Sequence, residues 1–213
     1  MTIKVGHDSE AFAERKGIGM FPMIGKVGGT KHHPLPVPGG VLSEDNVSIE
    51  MAINPTADID EFVELTNKVL VEMTNKVKET GCSLVLKPTV EFHEGVLDSF
   101  YPSSKEQGCD PDFNAWTLEP NPVPDLHNSA VRTAGGHVHI GWNFKDDMER
   151  INMARMMDVF HGIPSVLMDK YGQSRRKYYG MAGAHRPKSY GIESRILSNY
   201  WIFNQGEINN IFR

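Results

Sequence analysis

A large apolar residue occupies every second position along residues 46–54. The odd positions are all apolar: Val47, Ile49, Met51 and Ile53. Successive side chains of a β-strand point to opposite faces, so this pattern predicts a strand with one buried face. Glu50 then lies on the other face, toward either solvent or a polar cavity.

Three further segments place ionisable residues two positions apart. They are Asp8 and Glu10, His137 and His139, and Glu193 and Arg195. The two-residue period of a strand brings both members of each pair to one face. If the four strands share a sheet, one face carries the set Glu10, Glu50, His137, His139 and Glu193.

Such a face would hold several like charges close together. Unpaired carboxylates repel one another in a poorly solvated cleft, and divalent cations are the simplest compensation. Carboxylate-rich sites with an imidazole suit Mg²⁺ or Mn²⁺, with Zn²⁺ as the second choice. The alternatives are a solvent-exposed Glu50, hydrogen-bonded structural histidines and a plain ion pair between Glu193 and Arg195.

A second group of residues is suited to binding anions. The Gly- and Pro-rich stretch 17–45 predicts a long loop, and its glycines expose backbone N–H groups that can bind phosphate. The candidates in this loop are Lys26, Gly28, Gly29 and Lys31, although the spacing is not that of a Walker A loop. The basic candidates elsewhere are Arg132, Arg186, Lys188 and Arg195. A flexible lid and a solvated basic face are the competing interpretations.

The remaining pattern predicts an α+β fold. Helical apolar spacing indicates helices over 58–80 and 146–161, and strands are expected near 2–13, 83–92, 136–143 and 190–198. Mixed helices and strands with few short crossovers favour a mostly antiparallel sheet with the helices on one face. The length favours a single domain over residues 1–213.

Composition excludes several classes of protein. The net charge of -5 argues against general nucleic-acid binding. Cys82 and Cys109 are not in a CxxC pair, which disfavours a disulfide framework or a structural zinc site. The first residues lack the apolar segment of a secretory signal, and no stretch approaches the ~20 apolar residues of a membrane helix. We therefore expect a cytoplasmic protein without membrane contacts.

At these motifs the sequence resembles phage-type carboxylate–amine ligases (COOH-NH2 ligase, phiEco32-like, type 2). These enzymes are related to the glutamine synthetase and glutamate–cysteine ligase superfamily. The matching stretches are 6–10, 25–31, 45–50, 108–112, 132–141 and 190–201.

The resemblance implies a curved antiparallel sheet like the glutamine synthetase catalytic domain, binding ATP and two or three Mg²⁺ on its concave face. It implies metal binding by Glu10, Glu50 and Glu193, and contact of one histidine with metal or phosphate. We assign His137 to the metal and His139 to the nucleotide. Phosphate contact by Arg195 is also implied, and the expected catalytic residues are Glu50, Arg132 and Arg195.

The implied reaction is phosphoryl transfer to a carboxylate, followed by attack of an amine to form an amide or peptide bond. The substrates would be a small-molecule or peptide carboxylate and amine. A homo-oligomer is plausible, and the host cytoplasm is the expected location if a phage encodes the chain. The alternatives are a metal-dependent hydrolase using the His-x-His and carboxylate groups, and a non-catalytic nucleotide-binding relative.

Overall fold

The computed structural model describes residues 2–93, 95–96, 112–124, 126 and 129–213. Cys109 and most of the 108–112 motif lie outside the described residues. The strands are β1 (Lys4–Arg15), β2 (Gly19–Phe21), β3 (Leu35–Val37), β4 (Gly40–Asp45), β5 (Ser48–Ile53), β6 (Ser83–Val85), β7 (Thr89–Glu91), β8 (Phe113–Asn114), β9 (Val131–Thr133), β10 (Gly136–Gly141), β11 (Ala184–Lys188) and β12 (Gly191–Ser194). The α-helices are α1 (Ile59–Glu79), α2 (Asp147–Met157), α3 (Ile163–Met168), α4 (Gly172–Arg176) and α5 (Gln205–Phe212).

One large open sheet organises the described part of the chain. Its order is β3-β4-β5-β1-β10-β12-β11-β8, with β2 and β6 also paired to β1. Every strand pair in this sheet is antiparallel. The prediction of a mostly antiparallel sheet combined with helices is therefore confirmed.

Helices α1 and α2 pack on the apolar face of this sheet. Helix α1 begins after Asp58, whose carboxylate accepts a hydrogen bond from the Glu61 backbone N–H, and Gly81 follows its end with φ +73°. Its buried side chains belong to the same core as the odd-numbered side chains of β5. Helix α2 packs on the same face farther along the sheet, where Ala154 meets Ile192. The opposite face is left to the charged residues.

Two segments differ from the predicted elements because strand pairing overrides local composition. The Gly- and Pro-rich stretch 17–45 contains β2, β3 and β4, and Gly39 turns the β3–β4 hairpin with φ +93°. The predicted strand 83–92 divides into β6, which pairs with β1, and β7, which pairs with β9 in a separate two-stranded sheet. A long-range pairing partner, which a sequence window does not contain, decides both cases.

The second predicted helix continues past its expected end. Instead of stopping at Gly162 and Pro164, the chain forms a π-helical turn over Asp158–Gly162 and then α3. Pro164 lies in the first turn of α3, where proline is tolerated.

None of the helices in the described part of the chain combines the length and the apolar character that crossing a membrane requires. A single domain over residues 1–213 remains a prediction.

Candidate metal and anion site

Strand register brings three carboxylates together on the polar face of the sheet. Glu10 of β1 lies directly across from Glu50 of β5, and the β4–β5 hairpin adds Asp45. Each of the three side chains offers a carboxylate oxygen, and these oxygens all lie within 4.8 Å of one another. We call Glu10, Asp45 and Glu50 the acidic trio.

Neutral hydrogen-bond donors hold two members of the acidic trio. The Gly135 N–H donates to Glu10 Oε2 at 2.8 Å, and the Ser43 hydroxyl donates to Glu50 Oε1 at 3.0 Å. Burial and the negative charge of Asp45 raise the pKa of Glu10 to about 8. Burial, together with the nearby charges of Asp8, Asp45 and Glu10, raises the pKa of Glu50 well above its ordinary value. In the protein alone, these two groups therefore take up protons to relieve the repulsion.

A second group surrounds Asp8, and we call Asp8, His137, His139 and Glu193 the histidine cluster. His137 Nδ1 lies 2.8 Å from Asp8 Oδ1, and His139 Nε2 lies 3.0 Å from Asp8 Oδ2. Burial alone would raise the pKa of Asp8, but the two imidazoles outweigh it and lower that pKa well below its usual range. Asp8, His139 and Glu193 can also present ligand atoms within 4.8 Å of one another.

Cations surround Glu193, the last member of the histidine cluster. Lys188 Nζ lies 2.6 Å from Glu193 Oε2, while Arg195 Nη1 and Arg186 Nη1 lie 2.5 and 3.7 Å from Glu193 Oε1. Burial opposes ionisation of Glu193, but the charges of His137, Arg195 and Lys188 lower its pKa to about 2. The ion pair between Glu193 and Arg195, which the sequence offered as an alternative to metal binding, is present. The acidic trio is thus the less compensated of the two groups.

Three arginines share a cavity with two members of the acidic trio. Arg132, Arg175 and Arg195 line a space of about 120 Å³ together with Glu10 and Asp45. The Arg132 guanidinium donates to the Ser129 and Val131 carbonyls at 2.7 and 2.8 Å, which fixes its position. Carboxylates and guanidinium groups facing one cavity can bind a cation and an anion side by side.

The predicted phosphate-binding loop pairs with the β4–β5 hairpin, where the Glu44 N–H donates to the Gly29 carbonyl at 2.9 Å. Lys26, Gly28, Gly29 and Lys31 are not among the described residues that line the arginine-lined cavity. A β-carbon on Gly29 would lie 2.3 Å from the Leu35 backbone nitrogen, so close packing accounts for this glycine. The structure gives no separate reason for Lys26 or Lys31, and their role in binding nucleotide remains a prediction.

Sequence reasoning left several residues of this face without a role. Asp8 is two residues before Glu10 on the same strand, so the alternation of the strand already places it on the polar face. Asp45 required the register of the β4–β5 hairpin, which local alternation does not supply. Arg175, in the basic run 175–177, lines the cavity, and its guanidinium donates to the Ile196 carbonyl at 3.2 Å. Burial lowers the pKa of Arg175 to about 10.

No curated protein matches the chain. A family match covers the stretch that contributes both histidines, Glu193 and Arg195, whereas the acidic trio lies before it. Residues 129–212 match the sequence model of the family described as phage phiEco32-like COOH.NH2 ligase-type 2, which confirms the resemblance seen in the motifs.

Proposed function

We propose that the protein is an ATP- and Mg²⁺-dependent carboxylate–amine ligase that forms an amide or peptide bond through an acyl-phosphate. The family match supports ligation of a carboxylate to an amine. The observation that carries the dependence on a metal and on ATP is the acidic trio, whose carboxylate oxygens lie within 4.8 Å of one another beside three arginines.

The donor atoms of the acidic trio fit a hard divalent cation. All are carboxylate oxygens, the ligand type preferred by Mg²⁺ and Mn²⁺. The raised pKa values of Glu10 and Glu50 indicate that their negative charges lack compensation in the protein alone. Mg²⁺ bound there would supply positive charge for phosphate oxygens. The histidine cluster, through Asp8, His139 and Glu193, is the place for a further cation, with His137 beside it.

The reaction needs a carboxylate to become a good acyl donor. An oxygen of the substrate carboxylate bonds to the γ-phosphorus of ATP, and the bond from that phosphorus to ADP breaks. The amine nitrogen then bonds to the carbonyl carbon, phosphate departs with the C–O bonding electrons, and the nitrogen loses a proton. Negative charge spreads over the phosphoryl oxygens in the first step. Arg132, Arg175 and Arg195 are positioned to bind that charge as fixed donors.

Several finer parts of the proposal follow from the family resemblance. They are a likeness to the glutamine synthetase catalytic domain, action in the cytoplasm, no general nucleic-acid binding, and nucleotide contacts by His139, Arg186 and Lys188. The substrates are a small-molecule or peptide carboxylate and amine. Arg186 and Lys188 both form ion pairs with Glu193. This supports their proposed contacts with the nucleotide, because phosphate oxygens could bind the same two cations.

We also propose that two copies of the chain associate. Large apolar side chains recur every three or four residues on the surface of α2, the π-helical turn and α3, and all are exposed: Met156, Val159, Phe160, Ile163, Val166 and Leu167. Apolar spacing of this kind is typical of helices that pack on another helix. The stripe contains no charged side chain, so it is complementary to itself in a two-fold pair.

The test of catalysis uses Glu50→Gln, which keeps the shape of the side chain and removes its charge. We expect ADP release in the presence of Mg²⁺, ATP, a carboxylate and an amine to fall at least 100-fold, with an unchanged unfolding temperature. Glu44→Gln is the control, because Glu44 is on β4 next to Asp45 but on the opposite parity. Equal ADP release by both variants would contradict the assignment of the acidic trio.

A metal-dependent hydrolase is the second candidate, because the histidine cluster mixes imidazole and carboxylate ligands that suit Zn²⁺. Thermal shift distinguishes the two functions. Stabilisation by Mg²⁺ with ATP favours the ligase. Stabilisation by Zn²⁺ alone, together with indifference to nucleotide, would favour the hydrolase. Nucleotide binding without any product, detected by mass spectrometry over a panel of acids and amines, would indicate a non-catalytic relative.

A further inference from the structure

A second cavity, of about 380 Å³, carries three lysines that the proposed reaction does not use. Lys87 lies between β6 and β7, Lys170 lies between α3 and α4, and Lys177 follows α4. The three lysines come from separate segments, so only the fold brings them to one cavity. We call this cavity the lysine groove. Its other lining residues are Pro88, Thr89, Tyr171, Gln173 and Ser174.

The positive charge of the lysine groove is not balanced by acidic groups. No lining residue in the described part of the chain is acidic. Within the same described residues, none of the three lysines forms a salt bridge, and all three are exposed. The whole chain has a net charge of -5, so the groove is a local exception. A concave surface of this kind attracts a ligand that carries several negative charges.

Hydrogen bonds fix the backbone that carries these lysines. The Ala134 N–H donates to the Pro88 carbonyl at 2.9 Å, next to Lys87. The buried carboxylate of Asp169, next to Lys170, accepts a hydrogen bond from the Ser198 hydroxyl at 2.7 Å. The groove is therefore formed before a ligand arrives, which lowers the entropic cost of binding.

The lysine groove and the arginine-lined cavity lie on two sides of one wall. Thr89 of β7 lines the groove and is directly opposite Thr133 of β9, which lines the arginine-lined cavity. Opposite residues of an antiparallel pair lie about 5 Å apart. Helix α4 divides the same two spaces, because Arg175 lines the arginine-lined cavity whereas Ser174 lines the groove. A ligand of moderate length can therefore occupy both.

We propose that the lysine groove binds an acidic peptide, whose carboxylates contact the three lysines while a further carboxylate is activated in the arginine-lined cavity. The role of this peptide as the carboxylate substrate rests on the proposed ligation. Each residue of an extended peptide spans about 3.3–3.6 Å, so side chains two or three residues from the reacting one reach across the wall. A single small carboxylate has no second charge for the groove.

The chemistry of the lysine groove favours a peptide over a nucleic acid. Its cations are all lysines, which are point charges on flexible stems and accept carboxylates in varied positions. Proteins that bind single-stranded nucleic acid stack successive bases on several aromatic side chains. Among the described residues that line the groove, Tyr171 alone is aromatic.

Calorimetric titration in the absence of ATP tests the site with three probes: hexaglutamate, hexaglutamine and a thymidine hexanucleotide. We expect wild type to bind hexaglutamate, and to bind it more tightly than the other two probes. The groove variant is the triple substitution Lys87→Gln, Lys170→Gln and Lys177→Gln. It should bind hexaglutamate about 10-fold more weakly, because three exposed ion pairs each contribute little and their effects multiply.

The matched control removes the same charge from another surface. It is the triple substitution Lys68→Gln, Lys76→Gln and Lys78→Gln on α1. This variant should bind hexaglutamate like wild type, and both variants should keep the wild-type unfolding temperature. Equal affinity of the two variants for hexaglutamate would overturn the assignment, as would tighter binding of the hexanucleotide than of hexaglutamate.

The site and the proposed function fail in different ways. If wild type binds hexaglutamate through the groove but releases no ADP with any carboxylate and amine, the proposed function fails while the peptide site stands. If hexaglutamate supports ADP release, the groove variant should raise its KM and leave kcat unchanged. An unchanged KM in that assay would overturn the groove while ligation stands.

Discussion

At the scale of single residues, the charged groups next to each carboxylate of the polar face set its protonation state. Glu10 and Glu193 are both carboxylates on central strands, yet the pKa of Glu10 is raised to about 8 and that of Glu193 is lowered to about 2. Burial disfavours the charged form of both. Asp45 adds a negative charge beside Glu10, whereas Lys188 and Arg195 add positive charges beside Glu193.

The raised pKa of Glu10 predicts that Mg²⁺ binding depends on pH. Below pH 8 the folded protein holds a proton on Glu10 that the unfolded chain has lost above about pH 4.3, so stability without metal falls as the pH rises toward 8. A cation must displace this proton. The increase in unfolding temperature caused by Mg²⁺ should therefore grow from pH 6 to pH 8.5. The same scan on Glu10→Gln should show a smaller growth, because Glu50, whose pKa is also raised, still binds a proton, and Glu44→Gln should behave like wild type.

A buried imidazole on the other face predicts acid sensitivity. The imidazole of His7 forms hydrogen bonds with the hydroxyl groups of Ser9 and Thr66. Its Nδ1 lies 3.0 Å from Ser9 Oγ and its Nε2 lies 3.1 Å from Thr66 Oγ1. Burial lowers the pKa of His7 to about 3. Between about pH 6.5 and pH 3 the unfolded chain binds a proton that the folded chain does not. Stability should therefore fall as the pH drops through this window.

Urea unfolding between pH 6 and pH 4 measures this contribution. His7→Gln keeps a hydrogen-bonding side chain but cannot titrate. As the pH falls, the free energy of unfolding should decrease in both proteins. The decrease should be smaller in His7→Gln than in wild type, by about 1.4 kcal/mol per pH unit. Parallel slopes for the two proteins would show that His7 is not responsible.

At the scale of elements, the β4–β5 hairpin determines whether the acidic trio forms. Gly40 begins β4, and a β-carbon there would lie 2.0 Å from the Ala52 carbonyl oxygen. Backbone on the neighbouring strand cannot move aside as a flexible side chain can, so the hairpin has to shift if the residue is enlarged.

Gly40→Ala should therefore destabilise the protein by about 1–3 kcal/mol and weaken Mg²⁺ binding, because the shift moves Asp45 relative to Glu50. Gly6→Ala is the control on β1, two strands away in the same sheet, where a β-carbon has 3.5 Å of room. Chemical denaturation and magnesium titration measure both effects. A Gly40→Ala variant as stable as Gly6→Ala would contradict this account of the hairpin.

At the scale of the whole molecule, the apolar stripe on α2, the π-helical turn and α3 is exposed to solvent in the single chain. Leu167 is 85% exposed and Phe160 is 67% exposed on the apolar stripe of α2 and α3. If two copies pair through this stripe, Leu167→Glu should convert the protein to a monomer in light scattering at micromolar concentration. Ile18→Glu, a change at a comparably exposed apolar residue in the β1–β2 turn, should leave the mass unchanged. A wild-type monomer would exclude this pairing, and a different partner would then have to cover the stripe.

The sequence by itself determined which residues share the polar face. Alternation along single strands assigned Glu10, Glu50, His137, His139 and Glu193 to that face, and register confirms direct pairing of Glu10 with Glu50 and of His139 with Glu193. The motifs also predicted the family that residues 129–212 match. Parity is a local property of a strand, so it can be inferred without knowing the neighbouring strand.

Only the tertiary structure decided how these residues divide into sites. The β4–β5 register adds Asp45 to Glu10 and Glu50, whereas strand β11 and the residue after β12 surround Glu193 with cations. Register depends on pairs far apart in the chain, and a change of one residue would exchange the two faces. Two carboxylates with the same local pattern therefore acquire opposite electrostatic environments, because their neighbours come from different strands.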